Sequence, residues 1–110
     1  MPYADMLTLD QIRVLQAIVD TGTFSGAAHE LGRSQGAISY QVAAMEDTLE
    51  FQLFDRSSRR PKLTAAGRAI ATEAPSLLAR IDHLRGVARG LRDGLEPRLS
   101  IAVDTLFPMA

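Results

Sequence analysis

The apolar residues of the first thirty positions repeat at the spacing of two successive amphipathic helices. Thr8, with Gln11 three residues later, forms a capping-box pattern and predicts a first helix over about 9–20. After the break TGTF, Thr23 predicts the N-cap of a short second helix, FSGAAHEL, and Gly32 is placed to end it.

A third helix is predicted from about residue 35 to residue 49, with Ser34 as its N-cap. One side carries an apolar stripe: Ile38, Val42, Met45 and Leu49. The other side carries small or uncharged groups: Gln35, Gly36, Ser39, Tyr40 and Ala43. Amides and hydroxyls both donate and accept hydrogen bonds, so this side is suited to contact a polar surface.

The next segment, FQLFDRSSRRPKLT, has β-prone ends around a polar turn and predicts a small hairpin. A long helix is then predicted over about 64–92, with Pro75 producing a kink. Its apolar residues follow a heptad pattern typical of a dimerisation seam: Ile70, Ala74, Leu77, Ile81, Leu84, Ala88 and Leu91.

Gly90, Gly94 and Pro97 predict the end of that helix, and RLSIAV alternates like a strand. A single strand is not stable without partners, so we interpret it as the first strand of an absent domain. The predicted organisation is a first domain over 1–63, a linker helix over 64–93 and a remnant over 94–110.

The positive charge of this chain is local, although its net charge is −1. Residues 54–92 carry nine arginine and lysine residues against three acidic residues, and a local basic patch attracts phosphate. With no cysteine, no apolar run long enough to span a bilayer and no signal-peptide pattern, we expect a cytoplasmic protein.

The order of helix, short helix, tight turn, helix and basic hairpin predicts a mainly α fold, a winged helix-turn-helix with a two-stranded β wing followed by a long dimerisation helix. In such a unit the second helix of the pair enters the DNA major groove. Residues 7–67 resemble the DNA-binding domain of the LysR-type transcriptional regulators, through the segments TFSGAA, SQGAIS, LFDR and LTAAG at these separations.

The resemblance implies a cytoplasmic bacterial regulator that dimerises through its linker helix, or forms a tetramer at full length. It also implies a C-terminal domain of two α/β lobes that binds a small-molecule effector, of which RLSIAVDTLFPMA resembles the first strand and turn. Three positions differ from the family pattern. Gly36 replaces proline, serine or alanine, Tyr40 replaces arginine, and Glu50 replaces the glycine that commonly ends the third helix.

Several residues are candidates for DNA contact. Gln35 and Ser39 match family positions that approach base edges, although they could form a merely solvated face. Tyr40 could contact a phosphate or a thymine methyl, or cover the domain surface. We predict phosphate contacts from the helix starts, at Thr23, Ser25 and Ser34. The wing cluster could be an ordinary solvated charge run, but it is better explained by contact with the DNA backbone and minor groove: Arg56, Arg59, Arg60 and Lys62. Further candidates for DNA contact are Gly36 of the third helix, Arg33 of the turn and Ser58 of the wing.

Glu46, Asp47 and Glu50 would repel phosphate, so only the first half of the third helix should lie deep in the groove. His29 and His83 are isolated and predict no metal site, and no pattern predicts an enzyme or a cofactor. The expected partners are double-stranded DNA with inverted half-sites and a second copy of the chain, and no membrane. The alternative is a helical dimerisation module whose basic hairpin serves solubility.

Overall fold

The computed structural model describes the backbone of residues 6–57 and 59–101, and the side chains of these residues up to position 94. Three helices come first, α1 (Leu9–Thr21), α2 (Phe24–Leu31) and α3 (Gln35–Leu49). Two short strands, β1 (Phe54–Asp55) and β2 (Lys62–Leu63), and the long helix α4 (Ala65–Ile101) follow. The predicted fold class is confirmed.

Side-chain caps start the first three helices at the residues that the sequence predicts. The capping box of α1 is complete, because the Gln11 amide donates to Thr8 Oγ1 at 3.0 Å and the Thr8 amide donates to Gln11 Oε1 at 3.1 Å. Thr23 Oγ1 accepts from the Gly26 amide at 2.8 Å, and Ser34 Oγ accepts from the Ala37 amide at 3.1 Å.

Each of the first three helices ends at a residue in the left-handed region. Gly22 (φ 83°) ends α1 and Gly32 (φ 67°) ends α2, which glycine does without steric strain. Glu50 ends α3 with φ 64°, and within the described chain it is the one non-glycine residue with positive φ. The backbone therefore keeps the turn that glycine would make, although the side chain is a glutamate.

The core lies where α1, α2 and α3 meet. Leu15, Ile38 and Leu53 are fully buried, and the apolar stripe predicted for α3 faces this core. Phe24 and Phe54 pack edge to face with ring centroids 5.5 Å apart, which joins the start of α2 to β1. The buried apolar residues form one cluster: Ile12, Val14, Leu15, Ala17, Ile18, Ala27, Ala28, Ile38, Val42, Met45, Leu53, Phe54 and Ala74.

The wing is an antiparallel pair in which Phe54 lies opposite Leu63 and Asp55 opposite Lys62. Its first strand is tied to α3 by one carboxylate. Glu46 accepts from the amides of Leu53 (2.7 Å) and Phe54 (3.4 Å), which would otherwise lack a partner where the pairing begins.

The start of α4 lies directly against the segment before β1. The Thr64 amide donates to the Leu53 carbonyl at 2.9 Å, and Thr64 Oγ1 accepts from the Gly67 amide at 2.9 Å. A Cβ atom at Gly67 would lie 2.1 Å from the Leu53 carbonyl oxygen. The close approach of helix and strand therefore requires glycine at this position.

The end predicted for α4 is wrong. The helix runs on to Ile101, through Gly90, Gly94 and Pro97, and over the first four residues of the predicted strand at 98–103. In a helix the backbone groups form hydrogen bonds within the segment, whereas a strand without a neighbour forms none. The hydrogen bonds of the helix outweigh the local cost of glycine and proline. The rest of that strand lies outside the described residues.

The helix is also continuous through Pro75. The described residues divide into two units, with the boundary between residues 78 and 79. Of residues 79–94, whose side chains the structure describes, none is buried, and Leu84, Val87 and Leu91 are among the exposed ones.

Candidate nucleic-acid interface

Helix α3 presents one face to solvent and the opposite face to the core. The residues predicted to read DNA, or to contact its backbone, at the start of this helix are all exposed: Ser34, Gln35, Gly36, Ser39 and Tyr40. Tyr40 stands out, with 72% of its surface exposed. An aromatic ring so far out of the core is available for contact with a partner.

A groove of about 260 Å³ brings together residues from three parts of the sequence. Thr23 and Ser25 come from the start of α2, Gln35 from the start of α3, and the remaining polar residues from the wing. The complete lining is Thr23, Phe24, Ser25, Gln35, Asp55, Arg56, Arg59, Arg60 and Pro61. Six of the thirteen residues predicted to contact DNA thus line this groove. Lys62 is exposed on β2, and Ser58 lies outside the described residues.

Arg56 is engaged within the domain. Its guanidinium donates to Glu46 at 3.2 Å and lies over the Phe24 ring at 5.8 Å from the centroid. These contacts connect the wing to both α2 and α3. Part of its charge is therefore balanced by Glu46 within the domain.

Arg33 is also paired within the chain. Its two terminal nitrogens donate to the Asp10 carboxylate at 2.8 and 2.5 Å, a bidentate contact between the α2–α3 turn and the first turn of α1. These hydrogen bonds hold the pKa of Asp10 below its ordinary value of 3.8 and raise the pKa of Arg33. The DNA contact of Arg33 stays a prediction; in the structure its guanidinium is held by Asp10.

Asp55 places a carboxylate among the cations of the groove. It accepts from the hydroxyl of Ser57 at 2.7 Å and from its amide at 2.9 Å, and these bonds, with nearby Lys62, hold the pKa of Asp55 below its ordinary value. Asp55 therefore stays ionised and shapes the turn into the wing. Its negative charge moderates the local attraction for phosphate.

The heptad seam predicted for self-association is split in the structure. Ala74 is 2% exposed and belongs to the core, and Ile70 packs against that core. Leu77, Leu84 and Leu91 are 42%, 61% and 61% exposed at seven-residue spacing. Ala88 is exposed as well, and Ile81 is half-buried. The outward-facing part of the seam thus begins at Leu77.

Sequence reasoning missed two structural carboxylates. Glu46 was expected to repel phosphate, but its side chain is only 13% exposed and holds the wing. Asp10 lies in the first turn of α1, where an acidic residue is common because of the helix dipole, so no sequence signal marked it as the partner of Arg33. The described part of the chain has no helix long and apolar enough to cross a membrane.

Comparison with known proteins identifies the family. Residues 9–68 match the bacterial regulatory helix-turn-helix proteins of the lysR family. The chain is 41% identical over 102 residues to the probable HTH-type transcriptional regulator YhaJ of Escherichia coli strain K12, covering 93% of this chain and 34% of that protein. It is 37% identical over 94 residues to the HTH-type transcriptional regulator AceR of Acinetobacter baumannii, covering 86% of this chain and 32% of that protein.

The chain therefore spans about a third of the length of these curated relatives. Among solved structures, the complex of the BenM DNA-binding domain with benA site 1 DNA matches with a TM-score of 0.75 and 30% identity, covering 80% of this chain and 99% of that one. The family predicted from the sequence is confirmed: the chain belongs to the LysR family of bacterial regulatory helix-turn-helix proteins.

Proposed function

We propose that this chain is the DNA-binding part of a LysR-type transcriptional regulator. It recognises double-stranded DNA of specific sequence, with α3 in the major groove and the wing on the sugar–phosphate backbone or in the minor groove. The similar BenM domain was solved with DNA, which supports this function over the alternative of a helical module that binds only protein.

One observation carries the proposal. The exposed start of α3 adjoins a groove that also collects the start of α2 and the cations of the wing. A DNA duplex presents base edges flanked by phosphates, so a protein that reads it needs uncharged polar groups flanked by cations. Gln35 lines this groove together with Thr23 and Ser25 of α2 and with Arg59 and Arg60 of the wing.

The proposed roles follow from exposure and chemistry. Gln35 and Ser39 contact base edges, and Tyr40 contacts a thymine methyl or a phosphate. The capped starts of α2 and α3 bind phosphate through Thr23, Ser25 and Ser34, because amides at a helix N-terminus favour anions. The wing supplies Arg59, Arg60 and Lys62 as backbone contacts.

The deciding experiment selects bound fragments from random duplexes and then measures affinity for the enriched sequence across a salt series. We expect affinity to fall steeply as salt rises, because cations are released from DNA on binding. No binding to any duplex at low salt would refute the proposal and leave the protein-binding module.

Two substitutions distinguish a base contact from a phosphate contact. Gln35→Ala should weaken the selected site by about 1–3 kcal/mol and relax its sequence preference, as loss of a base contact does. Gln52→Ala is the matched control, since Gln52 is exposed beside Glu46, Asp47 and Glu50. If Gln35→Ala weakens all duplexes equally, its assignment to a base edge is wrong.

Arg60→Ala should weaken selected and random duplexes alike and reduce the salt slope by about 1, because a phosphate contact carries no sequence information. Arg89→Ala removes an exposed cation from α4 and serves as the control. An unchanged salt slope in Arg60→Ala would remove Arg60 from the backbone contacts.

We further propose that a second copy of the chain covers the exposed stripe of α4, so that a twofold pair of α3 helices binds inverted half-sites. Leu77→Asp with Leu84→Asp should yield monomers in sedimentation and weaken binding to the full operator. Ala79→Asp with Gly86→Asp is the control, because it places two aspartates at the same spacing on another exposed face. A monomeric parent at tens of micromolar would contradict this proposal.

The remaining assignments rest on the family. We propose a cytoplasmic bacterial regulator with no enzymatic activity of its own, organised as a DNA-binding domain over 1–63 followed by α4 (Ala65–Ile101) as the linker helix. A small-molecule effector would bind outside this chain, in a region that corresponds to the part of the full-length relatives that the chain does not match.

A further inference from the structure

The ion pair between Asp10 and Arg33 joins two distant parts of the sequence. Arg33 lies in the turn between α2 and α3, and its guanidinium holds both carboxylate oxygens of Asp10, at 2.8 and 2.5 Å, across 23 residues. A planar guanidinium that binds both oxygens fixes direction as well as distance, which a single contact does not.

The turn that carries Arg33 is fixed on its other side as well. The Arg33 amide donates to the Ala28 carbonyl at 2.9 Å, and Gly32 takes the left-handed conformation that allows this bond. The next residue, Ser34, caps α3 through the Ala37 amide at 3.1 Å. The ion pair thus acts one residue before the cap and two residues before Gln35.

We propose that Asp10 and Arg33 are positioning residues that set the place of the N-terminus of α3 relative to α1, and through it the sequence preference of Gln35. This inference rests on the proposed DNA-binding function. It differs from the prediction made from the sequence, in which Arg33 contacts DNA directly. In the positioning role, both members of the pair are needed to the same degree.

The two roles predict opposite results for Asp10→Asn. If Arg33 binds phosphate, removing the acid frees the guanidinium, so affinity rises or is unchanged, and Arg33→Ala reduces the salt slope by about 1. If the pair positions α3, then Asp10→Asn and Arg33→Ala each lower affinity for the selected duplex by about 5- to 10-fold. This is the lower end of the effect expected when a base contact is lost. Neither changes the salt slope.

The experiment measures affinity for the selected duplex and a scrambled one, at a temperature where circular dichroism shows every variant folded. The double variant should be no worse than either single variant, because the two residues act together. Asp10→Arg combined with Arg33→Asp should restore at least part of the sequence preference by remaking the pair in reverse. Arg13→Ala is the control for removing a nearby arginine from α1.

A second measurement does not depend on DNA. Amide hydrogen exchange at Ala37 and Ile38, which bond to Ser34, should be faster in both single variants and slower again in the reversed pair. Unchanged exchange, additive losses or a reduced salt slope in Arg33→Ala would overturn the positioning role. If the unsubstituted chain bound no duplex, the proposed function would be refuted. Amide hydrogen exchange would still decide whether the ion pair holds α3 in place.

Discussion

Residues 6–78 and residues 79–94 use apolar side chains in opposite ways. The first region contains a core in which Leu15 and Ile38 are fully inaccessible, whereas the second region has no buried residue and leaves Leu84 and Leu91 61% exposed. Both segments are helical where α4 passes through them, and both follow the same heptad pattern. The comparison shows that the pattern specifies a helix with an apolar stripe, and the surroundings decide what covers the stripe.

The largest effect is expected from emptying the core of the first region. Leu15→Ala should lower the free energy of unfolding by about 2–5 kcal/mol, because it leaves a cavity among α1, α2 and α3. Leu84→Ala, the matched change in the second region, should lower stability only through loss of self-association. Urea unfolding at several protein concentrations measures both, and only the Leu84→Ala loss should depend on concentration. If both variants lost the same free energy of unfolding at every protein concentration, the contrast between the two regions would be wrong.

The next effect compares two glycines of α4. Gly67→Ala should destabilise the domain by about 1–3 kcal/mol or more, because the new Cβ would meet the Leu53 carbonyl oxygen. Gly86→Ala has open space around it and should stabilise the helix by about 1 kcal/mol. Thermal unfolding of both variants checks the signs, and a neutral Gly67→Ala would show that β1 moves away freely.

A smaller effect is expected at the end of α3. Glu50→Gly should raise the free energy of unfolding by about 1 kcal/mol, because glycine takes a φ of 64° without the penalty of a Cβ atom. Glu50→Ala removes the charge but keeps the Cβ and is the control. Equal stabilisation by both variants in urea unfolding would assign the gain to charge, not to backbone conformation.

The smallest effect is expected from the ion pair of α1, which is partly exposed and screened. The pKa of Asp10 is lower in the folded chain, so its contribution is present above its ordinary value of 3.8 and is lost as pH falls through the lowered folded value. Asp10→Asn should therefore cost under about 1 kcal/mol at pH 7, and this difference should shrink below about pH 4. If the difference in free energy of unfolding between Asp10→Asn and the unsubstituted chain stayed constant from pH 7 to pH 2, the pairing would be contradicted. Asp20→Asn is the control.

The local parts of the fold could be predicted from the sequence because their causes are local. Thr8, Thr23 and Ser34 cap helices through amides three residues away, and Gly32 ends a helix through its own φ angle. The polar face of α3 was also predictable, because the apolar residues of this helix fall on one side and leave the other side polar. The wing was predictable for the same reason, from the β-prone ends and polar turn of FQLFDRSSRRPKLT.

The remainder depends on contacts between distant residues. Arg33 resembles any other cation near a predicted DNA-binding helix, and only the fold brings Asp10 to it. Ile70 and Ala74 share a heptad pattern with Leu77 and Leu84, and the pattern does not say which of them meet the domain's own core. Gly90 and Pro97 are local stop signals, which the continuous hydrogen bonding of α4 outweighs.

The separation of the two faces of α3 has a consequence for how such a protein can evolve. Ile38 and Val42 on the core face cannot change without loss of stability, whereas Gln35, Ser39 and Tyr40 are exposed on the opposite face. Substitutions at exposed positions usually change stability by less than about 0.5 kcal/mol. A descendant of this chain can therefore acquire a new binding site on DNA by point mutation, with no compensating change in the core.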